Sequence, residues 1–262
     1  MTEAPVILSL DAHRGIATLS FNRPSVFNAL DVPMAAAFEE AVAELRQLPS
    51  LRAVVLTGAG KAFMAGGDVA SFAANLDQAD RTLDLILNHM HPALLALRKI
   101  DAPVIAAVNG AAAGAGLSLV LSADYVVASA GARFVLAYDK LGVSPDCGGS
   151  WFLARKVGRS RAFDLMLMGQ TLGAADAQAA GIVNQVCEAD CFASTVEDVA
   201  TRVAQGPTRA FGQFKRLMDV ERPLAAHLEA ERSAFVAATA TEDFRNAATA
   251  FVQKTAPSFA GR

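Results

Sequence analysis

Two glycine-containing stretches of this 262-residue chain have the residue types to hold a negatively charged oxygen. One runs from Ala102 to Asp124. Its Val104 to Val108 portion is a short apolar run, which reads as a buried strand. Asn109-Gly110 breaks that run, and Gly114-Ala115-Gly116 then opens an apolar segment, Leu117 to Ala123, long enough to start a helix. A small-residue loop that opens a helix leaves backbone N–H groups without acceptors, with the helix dipole behind them. Such a place binds an anion, or an oxygen that becomes one during a reaction. The other stretch is Ala62-Phe63-Met64-Ala65-Gly66-Gly67-Asp68, with a helix expected from Val69. Two such loops meeting would set two N–H donors around one oxygen.

Simpler readings compete for the same residues. Ala102 to Ala123 carries no charge and has the length of a membrane span, but Pro103, Asn109 and three glycines argue against that. Gly114-Ala115-Gly116 lacks the third glycine of a dinucleotide fingerprint, since Leu119 stands there. Close helix packing without function remains open for that loop taken alone. Gly58-Ala59-Gly60-Lys61 lacks the first glycine and the following Ser or Thr of a phosphate loop.

The composition is 53% apolar and 19% charged, which supports one large core or a core with an appendage. A net charge of −3 and the lack of a basic stripe argue against nucleic acid as a partner. The first ten residues show no signal-peptide pattern. Cys147, Cys187 and Cys191 are odd in number and fit no disulfide framework, which suits a reduced, cytoplasmic protein. No ligand spacing suits zinc, so no metal is expected.

Elements must position these loops. Val6 to Leu10 and Gly15 to Phe21 read as a hairpin, and Leu51 to Thr57 as a buried strand. Asp31 can cap a helix running to about Leu48, with Pro33 in its first turn. Arg81 to Lys99 carries a helical apolar stripe, and Pro92 is a candidate kink. Tyr125 to Ala128, Ala132 to Leu136 and Ile182 to Val186 read as strands. Trp151 to Val157, Ser160 to Met168 (capped by Ser160) and Ala174 to Ala180 read as helices, and beyond about Asp190 the chain reads as helical throughout. Strands alternating with helices, then helices alone, define an α/β core with a helical tail.

As a set, several stretches resemble the enoyl-CoA hydratase/isomerase, or crotonase, family. They are Asn22-Arg23-Pro24 with Asn28-Ala29-Leu30, Phe63 to Asp68, Asn109-Gly110 through Gly116, Gly181-Ile182-Val183, and Ala250-Phe251 to Arg262. The resemblance covers nearly the whole chain in order. It implies a spiral of ββα units over residues 1–200 and a C-terminal helical region over 201–262 that forms trimers, or dimers of trimers, and part of the acyl pocket. It also implies an acyl-CoA thioester substrate, no further cofactor, no nucleic-acid or membrane partner, and a place in fatty acid metabolism. By position, Gly67 and Ala115 would supply the two oxyanion donors. Val26, Phe27, Ala29, Ala65, Gly66, Asp68, Val69, Gly114, Ser118 and Tyr138 would contact the substrate.

This sequence departs from the family's hydratases at one point. The two glutamates those enzymes use to add water align with Ser118 and Tyr138, neither of them a carboxylate. Asp146, in Pro145-Asp146-Cys147-Gly148-Gly149, resembles the acidic residue of some family isomerases; by residue type alone it reads as a turn or cap residue. Asp68 reads as a loop brace or helix cap, Asp124 as structural, and Asp139 as pointing away from the site. Moving a double bond within an enoyl-CoA needs one carboxylate, so an isomerase is the leading expectation. Hydration by Asp146 alone, ring expansion of an epoxide of phenylacetyl-CoA, and a non-catalytic CoA-thioester binder are the alternatives.

Overall fold

A computed structural model describes residues 4–74, 76–220 and 223–262. The first half of the chain orders as β1 (Val6–Asp11), β2 (Ile16–Phe21), α1 (Val32–Leu45), β3 (Ala53–Gly58), β4 (Ala62–Met64), α2 (Val69–Ala73), α3 (Ala79–Lys99), β5 (Val104–Val108), β6 (Ala111–Ala113) and α4 (Ala115–Ser122). The second half continues with β7 (Tyr125–Ser129), β8 (Arg133–Val135), α5 (Gly149–Val157), α6 (Arg159–Leu167), β9 (Thr171–Gly173), α7 (Ala174–Ala179) and β10 (Gln185–Cys187). Four helices follow: α8 (Phe192–Ala204), α9 (Thr208–Asp219), α10 (Leu224–Ala238) and α11 (Glu242–Gln253).

Two sheets form. The larger has the order β1-β2-β3-β5-β7-β10, parallel except for the β1–β2 hairpin. The smaller has the order β4-β6-β8-β9, with β4, β6 and β8 parallel. The pairs β3/β4, β5/β6 and β7/β8 each give one strand to each sheet before the chain turns helical. This repeating ββα spiral is the architecture expected from the sequence.

The apolar run of β5 follows from burial on both sides. Val104, Ala106 and Val108 join the main core with α1, α3 and α4, whereas Ile105 and Ala107 join a second cluster under α8. Alternate residues of a strand face opposite sides, so a strand covered twice needs no polar positions. β3 behaves alike, with Val54 and Leu56 on one face and Ala53 and Val55 on the other. The uncharged stretch 102–123 is thus two strands and a buried helix; among the described residues no helix is long and apolar enough to cross a membrane.

Some expected boundaries move. Ser160 does not cap α6: Gly158 holds that position at φ +78°, without a side-chain bond. The last strand is Gln185–Cys187 rather than Ile182 to Val186, because Ile182 and Val183 donate back to the Ala177 carbonyl at the end of α7. α1 stops at Leu45, three residues early, and α4 begins at Ala115 rather than Leu117. α3 runs on through Pro92. The three-residue strands β4, β6 and β9 are too short to show a sequence period. Asp31 does cap α1, accepting from the Met34 N–H at 2.9 Å.

Candidate active site

The first loop is held by its neighbours' main chain. Leu30 N–H donates to the Gly66 carbonyl at 2.7 Å, Asp68 N–H to the Leu30 carbonyl at 2.9 Å, and Ala65 N–H to the Phe27 carbonyl at 3.0 Å. The 26–30 segment therefore lies directly beside the 65–68 loop, and the exposed side chains of Val26, Phe27 and Val69 gather there with Ala65. Ala29 is buried. Asn28, also buried, donates to the Ala59 and Ala62 carbonyls and accepts from the Arg23 N–H, pinning the segment to the β3–β4 turn. Asp68 caps α2 through the Ser71 N–H at 3.2 Å and pairs with Arg23 at 3.1 Å. It is both a cap and a brace, as expected, and its charge is already engaged.

The second loop meets the first. A Cβ built on Gly114 would lie 3.5 Å from the Gly66 Cα, so the two loops touch through their backbones. Gly114 sits at φ +51° and donates to the Val135 carbonyl at 3.1 Å. Ala115 is the first residue of α4, and first-turn N–H groups have no acceptor within their own helix. Among the described residues, no protein acceptor is recorded for the Gly67 or the Ala115 N–H. Gly116 allows this close approach, since a Cβ there would lie 2.3 Å from the Met64 carbonyl oxygen.

One helical turn past Ala115, Ser118 contacts the third segment. Tyr138 O–H donates to Asp146 Oδ1 at 2.6 Å, and Ser118 Oγ lies 3.0 Å from the Tyr138 oxygen. Ser118 and Tyr138 are buried, while Asp146 is half-buried. Burial, and then the Asp146 charge, push the Tyr138 phenol well above its ordinary value, so it stays protonated. The same two causes push the Cys147 thiol up, which keeps it out of thiolate chemistry. Asp139 turns its carboxylate toward Gly169, away from this cluster. Sequence reasoning named Ser118, Tyr138 and Asp146 separately; their contact joins positions 20 and 8 residues apart through side chains alone.

Local strain gathers here. Phe27, Asn28, Ala137 and Cys147 have left-handed backbones without being glycine, and each adjoins or belongs to the site. Such conformations cost about 1–3 kcal/mol apiece and persist only where surrounding structure imposes them.

The other end of α4 differs in kind. Asp124 accepts from Arg98 at 2.7 Å, from the Val104 N–H at 2.8 Å and pairs with Lys215 at 3.0 Å, while Arg98 also binds Asp219. This network was not visible in the sequence, beyond the structural reading of Asp124. Beside it opens a cavity of about 450 Å³ that includes Leu121, Trp151, Phe152, Phe214 and Met218, away from the two loops. Among the described residues, no three His, Cys, Asp or Glu side chains gather as a metal site.

Two glycine loops thus meet at a helix start, and Ser118, one turn along that helix, leads through Tyr138 to the Asp146 carboxylate. The sequence model of the enoyl-CoA hydratase/isomerase family matches residues 11–262, and the chain belongs to that family. A 1,2-epoxyphenylacetyl-CoA isomerase of Escherichia coli (strain K12) is 37% identical over 254 residues, spanning 95% of this chain and 96% of its own length. A 2,3-dehydroadipyl-CoA hydratase of the same organism is 34% identical, over 97% of this chain and 99% of its own. The crystal structure of an enoyl-CoA hydratase from Polaromonas sp. JS666 superposes with a TM-score of 0.90 at 33% identity, over 97% of this chain and 99% of that one. The protein is accordingly a crotonase-fold enzyme that acts on CoA thioesters, a class that needs no separate cofactor.

Proposed function

We propose that this enzyme moves a double bond within an enoyl-CoA through an enolate of the thioester. The Gly67 and Ala115 N–H groups bind the carbonyl oxygen, which gains negative charge as a C2 proton leaves. Asp146 takes that proton and returns it at C4; the electron pair of the C2–H bond becomes the new C2–C3 π bond, and the former C3–C4 π pair forms the C4–H bond. Backbone amides do not titrate in the working range, and one such donor is worth about 3 kcal/mol of transition-state stabilisation. The segment at Val26, Phe27, Ala29, Ala65, Gly66, Asp68, Val69 and Gly114 would receive the CoA thioester.

The observation that carries this reading is the state of the carboxylates. Asp68 is spent on Arg23 and a helix cap, Asp124 on Arg98 and Lys215, and Asp139 faces Gly169. Asp146 meets the neutral Tyr138 hydroxyl and Cys147 thiol and, among the described residues, no cation, and a double-bond shift needs only one acid/base group. Hydration in the family's manner would need two, and Ser118 and Tyr138 offer none. Asp146→Asn keeps the side chain's shape but cannot take a proton. Turnover of a 3-enoyl-CoA into its 2-enoyl isomer should fall about 100-fold, with acyl-CoA affinity little changed. Retained turnover would sink the assignment, and a 3-hydroxyacyl-CoA product would identify a hydratase instead.

A second reading has its own support. The 37% identical relative is named an epoxyphenylacetyl-CoA isomerase, and the Pro145-Asp146-Cys147-Gly148-Gly149 run with Trp151 resembles those enzymes. Ring expansion of that epoxide at a rate exceeding any enoyl shift would favour it.

For the assembly we propose a trimer, or a pair of trimers, in the cytoplasm, built through residues 201–262. α10 contributes no buried residue, and Leu224, Phe235 and Phe251 are among the most exposed apolar side chains of α10 and α11. Light scattering at micromolar concentration should give at least three times the 27.3 kDa chain mass; a monomer would refute the assembly.

A further inference from the structure

We infer that Tyr138 is a positioning residue: its hydroxyl holds Asp146 by Oδ1, so that the proton travelling between two substrate carbons is carried on Oδ2. The inference rests on the isomerase reading of the same site and reassigns Tyr138, which the family resemblance would place against the substrate.

The hydrogen-bond directions are fixed by counting. A phenol has one proton, and the 2.6 Å bond to Asp146 Oδ1 uses it. At the 3.0 Å contact, Tyr138 must therefore accept, and the Ser118 hydroxyl donates. Ser118 is fully buried and Tyr138 nearly so, and both protons point along one chain toward the carboxylate. Neither hydroxyl has a proton left for a substrate or a water. Gly149 leaves room for this arrangement, because a Cβ there would lie 2.4 Å from Ser118 Oγ.

Asp146 Oδ2 makes no N–H or O–H hydrogen bond among the described residues. The two carboxylate oxygens thus differ: Oδ1 takes the Tyr138 O–H, and beyond it the carboxylate meets only the weak S–H donor of Cys147. A tether matters in a shuttle, because the same oxygen must reach C2 and then C4 without rotating away. The phenol is held protonated by burial and by the neighbouring charge, so the tether persists across the working pH range. Where hydratases of the family place two carboxylates, this chain places a pair of hydroxyls that orient the one carboxylate it keeps.

The test uses the full chain with 3-hexenoyl-CoA in D2O, following both the double-bond shift and deuterium entry at C2 and C4. Tyr138→Phe should lower kcat by about 10- to 100-fold, the range expected for one hydrogen bond to a charged group, with KM little changed. Deuterium entry per double-bond shift should rise, because an untethered Asp146 loses the substrate proton to solvent before returning it. Ser118→Ala, which leaves the Tyr138–Asp146 bond in place, should do less on both readouts. Tyr138→Phe with wild-type kcat and wild-type deuterium entry would overturn the inference while leaving Asp146 in its role. If Asp146→Asn keeps turnover, or the wild-type protein neither shifts nor exchanges, the isomerase reading fails and takes this inference with it.

A second measurement does not depend on Tyr138→Phe folding. The chain has only two tyrosines, Tyr125 and Tyr138. In a Tyr125→Phe background, ring-fluorinated tyrosine marks Tyr138 alone. Its fluorine resonance should move when Asp146→Asn replaces the charged acceptor, and an unmoved line would overturn the tether.

Discussion

The two ends of α4 handle a carboxylate in opposite ways. At its C-terminal end Asp124 is surrounded by Arg98, Lys215 and a backbone N–H, and Asp219 also pairs with Arg98. At its N-terminal end Asp146 receives only neutral donors, the Tyr138 hydroxyl and the Cys147 thiol. Both oxygens of Asp124 are engaged, one by Arg98 and the other by Lys215 and the Val104 N–H. The two neutral donors to Asp146 orient it without pairing its charge. Burial does not draw this difference, since both are only partly exposed; on the proposed mechanism it divides a structural carboxylate from a reactive one.

The largest effect should come from the saturated end. Asp124→Ala leaves Arg98 with Asp219 alone and strands Lys215, whose side chain is 4% exposed, and an unpaired buried charge of this kind costs about 3–5 kcal/mol. The midpoint of urea unfolding should fall accordingly, while turnover per folded molecule holds. A stability loss below about 1 kcal/mol would show the ion network to be ornamental and break the comparison.

Asp146→Asn should give the mirror image. The roughly 100-fold loss of turnover corresponds to about 2.7 kcal/mol on the barrier, with stability moved by less than about 0.5 kcal/mol because asparagine still accepts from Tyr138. Equal losses in rate and stability would place Asp146 with Asp124.

Gly116→Ala probes the helix start between them. The added methyl meets the Met64 backbone, and overpacking of that sort costs about 1–3 kcal/mol. It should also displace the neighbouring Ala115 N–H, so turnover falls while Asp146 is untouched. Normal turnover would separate the helix start from the chemistry.

The smallest effect is alkaline. The folded state holds Tyr138 protonated above its ordinary value near 10, whereas the unfolded chain ionises it there. The folded state then binds more protons, so stability present below pH 10 is lost as pH rises further, by at most about 1.4 kcal/mol per pH unit. Tyr138→Phe should flatten that slope in denaturation measured between pH 9 and 11. An unchanged slope would show that another group sets the alkaline limit.

Legibility in the sequence followed the range of the interactions. β5 could be read because two-sided burial leaves an unbroken apolar run, and Asp31 could be read as a cap because capping is local. The glycines of both loops were visible, since close backbone approach restricts residue type. The short strands β4, β6 and β9 were not, because three residues carry no period. Ser160 was misjudged as a cap because Gly158, at φ +78°, had already turned the chain. The Ser118–Tyr138–Asp146 chain and the Asp124–Lys215 pair are tertiary, formed by side chains on separate elements, and no local pattern announces them.

The Gly67 and Ala115 N–H groups belong to the main chain, and that shapes how this site can diverge. No codon change deletes a peptide N–H except one to proline, so mutational drift cannot easily erase the part of the site that would activate a thioester. Positions 118, 138 and 146 carry ordinary side chains, each one substitution from a different acid, base or hydroxyl. On the proposed mechanism, a descendant can therefore try a new fate for the enolate while inheriting the means of making it, with reaction type written in a few replaceable letters over an unedited backbone.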